Sequence, residues 1–573
     1  MTDVPQDRSP RRWWSDIRWI TGLVIVAIIG SVLWGLFGPE PRIIVSRETT
    51  FITEPLRADG APDYVAHALN LMGRGTPPDD NAAVAVLQAT WPMGLDDDQL
   101  AATCEALGIP ATPPDFPPLV EADSDTVLVA GLQEMCRTMQ SGDAAIDTAA
   151  DDPRQRTSLV CSEAQIRPWR TADCPPLEAW VARHSPALDI VVTAAGRPRY
   201  ELPPPELLIA PTSGSLFTAS LTGLQSLRTV ARMIATRAMH RVGEGRSAAA
   251  WSDIRAVHRL ARLLAPTDRA TFLISQLVSV AIGASANEAT LVLLDAQGIS
   301  VADVGAIRRD LDALPPPCQV AACLPIERLG AIDLLVDISR TPRGKRLDAI
   351  GWGFDGLGLP LSTSLDMNVV LRGVNAAHDR LAGIATLPDR AVRRQAYEDF
   401  NRELAARHAV GNGWRRAAWI LRVGTSRVAR SEAVATLLEA LLLPATEACV
   451  DALDRSRAHF ELVRVAAALA EWRARGLGGE GRPYPDRLDE LVPAVAAELP
   501  SDPCSGQPFR YERRGDGYLL YSLGTNGVDD GGTSGEVRKG EWVGPGEEDL
   551  GDELLADLVV RMPRPKRSII PPP

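Results

Sequence analysis

The chain has 573 residues, 45% of them hydrophobic, a length that supports two or three domains with sizeable cores. A formal net charge of -13, with Lys and Arg dispersed along the chain, excludes a nucleic-acid surface, because phosphate binding needs concentrated positive charge. The acidic balance by itself implies solubility and names no partner.

The first predicted element departs from that solubility. The stretch WITGLVIVAIIGSVLWGLF, residues 19–37, carries no charge and as a helix spans about 28 Å, near the hydrocarbon thickness of a bilayer. Trp13, Trp14 and Trp19 stand at one end and Trp34 and Phe37 at the other, where amphipathic rings favour the headgroup level. Arg8, Arg11, Arg12 and Arg18 precede the span, so residues 1–18 are expected in the cytoplasm and everything after about Pro39 outside it. A cleaved signal peptide is the competing reading. The apolar run is longer than a usual signal core and GLFGPEPRII offers no small-x-small site, which favours an uncleaved signal anchor. A pilin-type leader would need its own junction ahead of the apolar run, and none is present. These features place the chain in the inner (cytoplasmic) membrane, with residues 19–37 in lipid and the bulk of the protein periplasmic.

All eight cysteines, Cys104, Cys136, Cys161, Cys174, Cys318, Cys323, Cys449 and Cys504, fall on the exported side. An even set suits up to four disulfides in an oxidising compartment, with Cys161–Cys174 and Cys318–Cys323 suggested by proximity in sequence. Buried free thiols are the alternative, since Cys is among the most buried residue types. No cysteine has zinc-site spacing with histidine partners.

Residues 39–211 read as a mixed, mostly helical region. Its clearest element is DDNAAVAVLQATW, where Asp80 or Asn81 can cap a run of Ala, Val and Leu. PATPPDFPPL, from Pro110, is a proline-dense break. Residues 212–445 read as an irregular α-helical bundle or array. LRTVARMIATRAMHRV and AAAWSDIRAVHRLARLLA, separated by GEGR, predict an antiparallel hairpin whose second helix turns Trp251, Ile254, Val257, His258, Ala261 and Leu264 to one face. A third helix is expected after a Thr267 or Asp268 cap. No fixed repeat period is present, so a regular solenoid is not predicted. GWGFDG, from Gly351, matches a dinucleotide fingerprint in form only, because Pro360 opposes the helix that should follow. Further helices are expected from about Asn375 to Val423 and from Ser431 to Arg475.

Residues 446–573 carry the most specific pattern. A long helix ends in FELVRVAAALAEWRARG, with Leu462, Val465, Ala466, Leu469 and Ala470 as its apolar stripe and Gly476 as its stop. It is followed by a Tyr-Pro then Leu-x-x-Leu segment, by LPSDPCSGQPFRY, and by GYLLYSLGTNGVDDGG, with a closing strand at ADLVVRM. In that order these motifs resemble the globular part of a type II secretion major pseudopilin. The overall chain therefore reads as mainly α, with a small α+β pseudopilin-like C-terminal domain. With the early segments GAPDYVAHALN and TPPDDNAAVAVLQATWP, the layout also resembles a family of large single-span bacterial envelope proteins, a resemblance that implies no activity.

The pseudopilin resemblance implies a calcium site in the loop after the second strand. Leu523 and Asn526 would offer carbonyls, Asp529 and Asp530 carboxylates, and Asp557 would stand for the family's last acidic ligand; oxygen donors suit the hard Ca²⁺ ion. An insertion, TSGEVRKGEWVGPGEEDLGDELLADLV (533–559), interrupts the family pattern there, and a plain turn capped by its own Asp residues is the alternative. The acidic ligand spacing of an EF-hand is missing.

A catalytic motif is absent from the sequence: there is no H-E-x-x-H, P-loop or G-x-S-x-G. The seven histidines are scattered singly, and His258 is expected to be a hydrogen-bonded residue of a helix face. The favoured expectation is a non-catalytic binding or structural component of the envelope that meets an envelope protein partner. The alternatives are an anchored extracytoplasmic enzyme, or an accessory component of a secretion or pilus system.

Overall fold

Apolar residues recur at three- and four-residue steps through most of the chain, and in the computed structural model these stretches are helices. The structure describes residues 10–73, 75–140, 152–209, 216, 222–317, 320–346, 361–408, 412–442, 445–479, 481–532 and 557–564. The GWGFDG segment, Cys318 and most of the acidic insertion lie outside the described residues.

In chain order the helices are α1 (Pro10–Phe37), α2 (Tyr64–Met72), α3 (Ala82–Ala89), α4 (Asp97–Leu107), α5 (Thr126–Gln140), α6 (Pro153–Ile166), α7 (Pro175–Ala194), α8 (Pro205–Ile209) and α9 (Thr222–Gly243). They continue as α10 (Ser247–Leu264), α11 (Leu273–Asp295), α12 (Val301–Ala313), α13 (Leu324–Arg340), α14 (Met367–Ala385), α15 (Arg390–His408), α16 (Trp414–Thr425), α17 (Arg427–Leu442) and α18 (Ala445–Ala474). Strands β1 (Arg510–Arg514), β2 (Gly517–Ser522) and β3 (Leu558–Met562) form one antiparallel sheet in that order. The protein is thus mainly helical with a small sheet.

The chain folds into two compact units that cut across the linear division drawn from the sequence. One comprises Met1–Tyr64, Ser215–Phe217 and Arg328–Ala445; the other comprises Val65–Gly214, Thr218–Glu327 and Thr446–Pro573. In the second unit a continuous buried cluster includes Ala82 to Leu311 and Ala458 to Met562, so α18 and the sheet share one core with α3–α12. The C-terminal segment is part of this unit and has no separate core of its own.

Local chemistry explains the helix boundaries in this unit. Asn81 caps α3 by accepting the Ala83 N–H at 3.1 Å. Asp96 and Gln99 form a reciprocal capping box at the start of α4, and Gly108 ends that helix at φ 67°. The expected hairpin is present as α9 and α10, and all six residues assigned to the inner face of α10 are buried. α11 starts at Leu273, later than a Thr267 or Asp268 cap would place it. It is long and apolar enough to cross a bilayer, yet Val278, Ile282, Ala286, Ala289 and Leu293 are buried in the core of this unit.

The hairpin also carries a buried charge network. Arg237 on α9 donates from Nη2 and Nε to the Asp253 carboxylate at 2.7 and 3.1 Å, while Arg241 reaches the same carboxylate at 2.8 Å. Asp253 is fully buried, and burial pushes its carboxyl up against the opposing pull of the two guanidinium groups. Asp189 on α7 accepts a further Arg237 N–H at 2.7 Å, which ties a third helix to the pair.

Arginines and carboxylates fasten the C-terminal segment to α11 and α12. Arg308 meets Glu471 at 2.5 Å, Arg473 donates to the Leu294 carbonyl at 2.6 Å, and Arg564 meets Glu288 at 2.5 Å. In the sheet, a Cβ on Gly517 would lie 1.9 Å from the Met562 carbonyl oxygen, so only glycine permits that backbone approach.

In the first unit, residues 38–50 are laid on α14 by polar side chains. Glu40 accepts two N–H groups of Arg346, at 2.9 and 2.6 Å, and also the Leu365 N–H at 2.9 Å. Asn368 accepts the Ile44 N–H at 2.8 Å, and Asn375 donates to the Thr49 carbonyl at 2.6 Å. The last carbonyls of α1 are capped by arginines: Arg430 donates to Gly35 at 2.6 Å and Arg343 to Phe37 and Gly38 at 3.1 and 2.6 Å. Along α1, Trp19, Leu23, Val26, Trp34 and Phe37 are all more than 60% exposed, a continuous apolar surface that the protein itself does not cover.

Candidate functional site

The loop after β2 is the candidate. Its backbone is organised first by Asp502, a buried residue of the LPSDPC turn. The Asp502 carboxylate accepts the Cys504 N–H at 2.9 Å and the hydroxyls of Ser505 and Ser522 at 2.8 and 2.7 Å. It also accepts the Leu523 N–H at 3.4 Å, fixing the point where the chain leaves β2. No role was read from the sequence for Asp502, although its Asx-turn context, Asp before Pro, was visible there.

Beyond Leu523 the loop bonds to itself. Asn526 accepts the Val528 N–H at 3.0 Å through its side chain. Asp529 accepts the Gly531 N–H at 3.0 Å and the Tyr521 hydroxyl at 3.1 Å, with Arg510 at 3.6 Å. These are the turn-capping bonds that Asn and Asp make in Gly-rich loops.

Asp557 closes the arrangement from the far side of the insertion. One of its carboxylate oxygens, Oδ2, accepts the N–H groups of Asp530 and Gly532 at 3.1 and 2.9 Å. Its other oxygen, Oδ1, is buried and has no hydrogen-bond partner among the described residues. Burial raises the Asp557 carboxyl above the usual carboxylate range, and the neighbouring charges of Asp530 and Asp529 push the same way. The structure therefore brings Asp529, Asp530 and Asp557 to one loop, with Leu523 and Asn526 at its entrance.

An unsatisfied buried carboxylate oxygen beside two other acidic residues is the donor chemistry that a hard cation relieves. Among the described residues, no three side chains of His, Cys, Asp or Glu are grouped to hold a metal by themselves. A cation here would need the Leu523 and Asn526 carbonyls as well as the carboxylates.

Four of the histidines serve packing. His258 is fully buried and its Nε2 pairs with Thr290 Oγ1 at 2.9 Å, as expected of a helix-face histidine. His184 and His378 each place Nδ1 against a carbonyl one turn earlier, and His240 stacks on Trp169. Cys104, Cys136, Cys161, Cys174 and Cys449 are free thiols, and burial raises Cys161 and Cys174 to about 12 and about 11. The suggested Cys161–Cys174 disulfide is not formed in the structure.

A separate cleft of about 100 Å³ opens in the second unit between α2, α8 and α11, lined by Met72, Met93, Leu202 and Phe272. Tyr200 places in its wall a buried hydroxyl that has no hydrogen-bond partner among the described residues. Comparison with family models, curated proteins and solved structures gave no match.

Proposed function

We propose that the protein is a single-span membrane-anchored, extracytoplasmic component of the cell envelope, non-catalytic, whose binding or structural role is carried by its two helical units. The observation that carries this reading is α1, where an uncharged run leaves the first unit with its apolar side chains uncovered. Four arginines before the run orient it with the short N-terminus in the cytoplasm. Alkaline carbonate extraction of membranes tests the anchor. The full chain stays in the pellet; release into the supernatant would overturn the reading.

The C-terminal segment is read as a pseudopilin-like module, supported by the long α18, the three antiparallel strands and the acidic loop between the last two. Calcium would sit in that loop, held by Asp529, Asp530, Asp557 and the carbonyls of Leu523 and Asn526, and would neutralise the crowded carboxylates. Its role is to stabilise the loop. Such a module also suits an accessory component of a secretion or pilus-type system. An anchored enzyme is the second reading, favoured only by the cleft that contains Tyr200, whose hydroxyl has no partner among the described residues and suits a small apolar ligand with one hydrogen-bonding group.

A further inference from the structure

Helix α16, Trp414–Thr425, is amphipathic and has no buried residue. Trp414 is 76% exposed, Leu421 66% and Ile420 55%, and with Ala417 they occupy one face at three- and four-residue steps. Arg415, Arg416 and Arg422 lie on other faces of the same helix. Val423, which is partly buried, faces away from the Trp414, Ala417 and Leu421 stripe, so the apolar stripe points away from the body of the unit.

The position of α16 is set by the same arginine that caps α1. Arg430, itself buried, donates to the Val423 carbonyl at 2.9 Å, to the Ser364 carbonyl at 3.0 Å and to the Gly35 carbonyl at 2.6 Å. Gly35 packs closely enough that a Cβ there would lie 3.2 Å from the Thr425 carbonyl oxygen. The C-terminal end of α16 is therefore tied to the last turn of α1, the level at which an anchor leaves the bilayer.

We infer that α16 lies flat in the outer leaflet of the membrane that α1 crosses, apolar face in the acyl boundary and arginines at the phosphate level. The inference rests on the reading of α1 as an anchor. A highly exposed tryptophan at the start of an apolar stripe and several arginines on a short helix are the features of interfacial binding, and three arginines within 12 residues oppose insertion across the hydrocarbon; Trp419 lies on the other side, with Val423. A second copy of the chain would cover the stripe equally well but gives no reason for its placement beside the α1 exit. The double attachment would fix the orientation of the first unit on the bilayer, where a single helix alone would leave it free to swing.

The test uses the full chain in vesicles of phosphatidylethanolamine and phosphatidylglycerol. A photoactivatable benzophenone side chain is placed in turn at Leu421, at Ile29 within α1, and at Glu398, a half-exposed residue of α15. After illumination, lipid adducts at Leu421 and Ile29, several-fold above Glu398, are the expected result. Adducts at Ile29 with Leu421 no higher than Glu398 would overturn the inference while leaving the anchor standing. Absence of adducts at both positions would overturn the anchor and this inference with it. A chain-to-chain adduct at Leu421 in place of lipid would overturn it in favour of a second copy.

Discussion

Asp557→Asn separates a calcium site from a capped turn. In wild type, burial and the charges of Asp530 and Asp529 oppose ionisation of Asp557, while Oδ2 is committed to two backbone N–H groups. Asparagine keeps an acceptor for those N–H groups and removes the charge. With a chelator present, the variant should therefore melt at or slightly above the wild-type midpoint. The sign follows from linkage: a carboxyl with a raised folded pKa contributes more stability as pH falls through that pKa, a dependence the variant loses. With calcium, a ligand at a hundredfold excess over its Kd adds about 2.7 kcal/mol to the wild type. The second unit has roughly 390 residues and should melt with an entropy of about 0.8 kcal/mol/K, so the midpoint rises by about 3 °C. The assay is differential scanning calorimetry of the full chain, because α18 and the sheet share a core with α3–α12. An equal calcium shift in wild type and variant, or none in wild type, would refute the reasoning.

Three further outcomes follow from the interior. Arg237→Met leaves the fully buried Asp253 with Arg241 as its close partner, and should cost about 3–5 kcal/mol in calorimetry or denaturant unfolding; Arg237→Met combined with Asp253→Leu and Arg241→Met, which removes every charge of the cluster on α9 and α10, should recover most of that loss. Burial alone would raise the Glu288 carboxyl, but His459 and Arg564 hold it down to about 2. Its contribution to stability is present above the unfolded carboxylate pKa and is lost as pH falls towards 2, so Arg564→Ala should flatten the acid limb of a melting-midpoint profile. Cys161 and Cys174 should resist maleimide at pH 8 and react once the protein is unfolded without reductant, read by mass spectrometry. Continued protection after unfolding would reveal a disulfide and contradict the reduced pair.

Periodicity made the helices legible, down to the six buried residues of α10, which turns one apolar face to the core; on α18 the stripe was legible too, but nearly every residue from Leu462 to Trp472 is buried. β2 was legible as a Tyr- and Leu-rich run between glycines, while β1 and β3 were expected from the order of the pseudopilin-like motifs around it. What pattern could not convey was which faces share a core. α18 packs with α12, more than 100 residues earlier, through Arg308 and Glu471, and no local signal encodes such a pairing. The helices expected from Asn375 to Val423 are three, starting earlier at Met367, with Pro388 between the first two and Gly413 just before the third.

In the candidate site, the acidic residues were found from the order of motifs, and the 27-residue reach from Asp530 to Asp557 was recoverable only from that order. Asp502 and Arg430 were missed. Each acts by bonding several main-chain groups that only the folded chain brings together, and neither stands in a motif that marks the role.

The anchored, outward-facing topology is the central claim, and protease treatment of intact spheroplasts tests it most directly. The account predicts digestion of the exported units, leaving a membrane-protected fragment that begins at the N-terminus and ends shortly after Pro39. An intact chain that becomes sensitive only after the membrane is broken would contradict it.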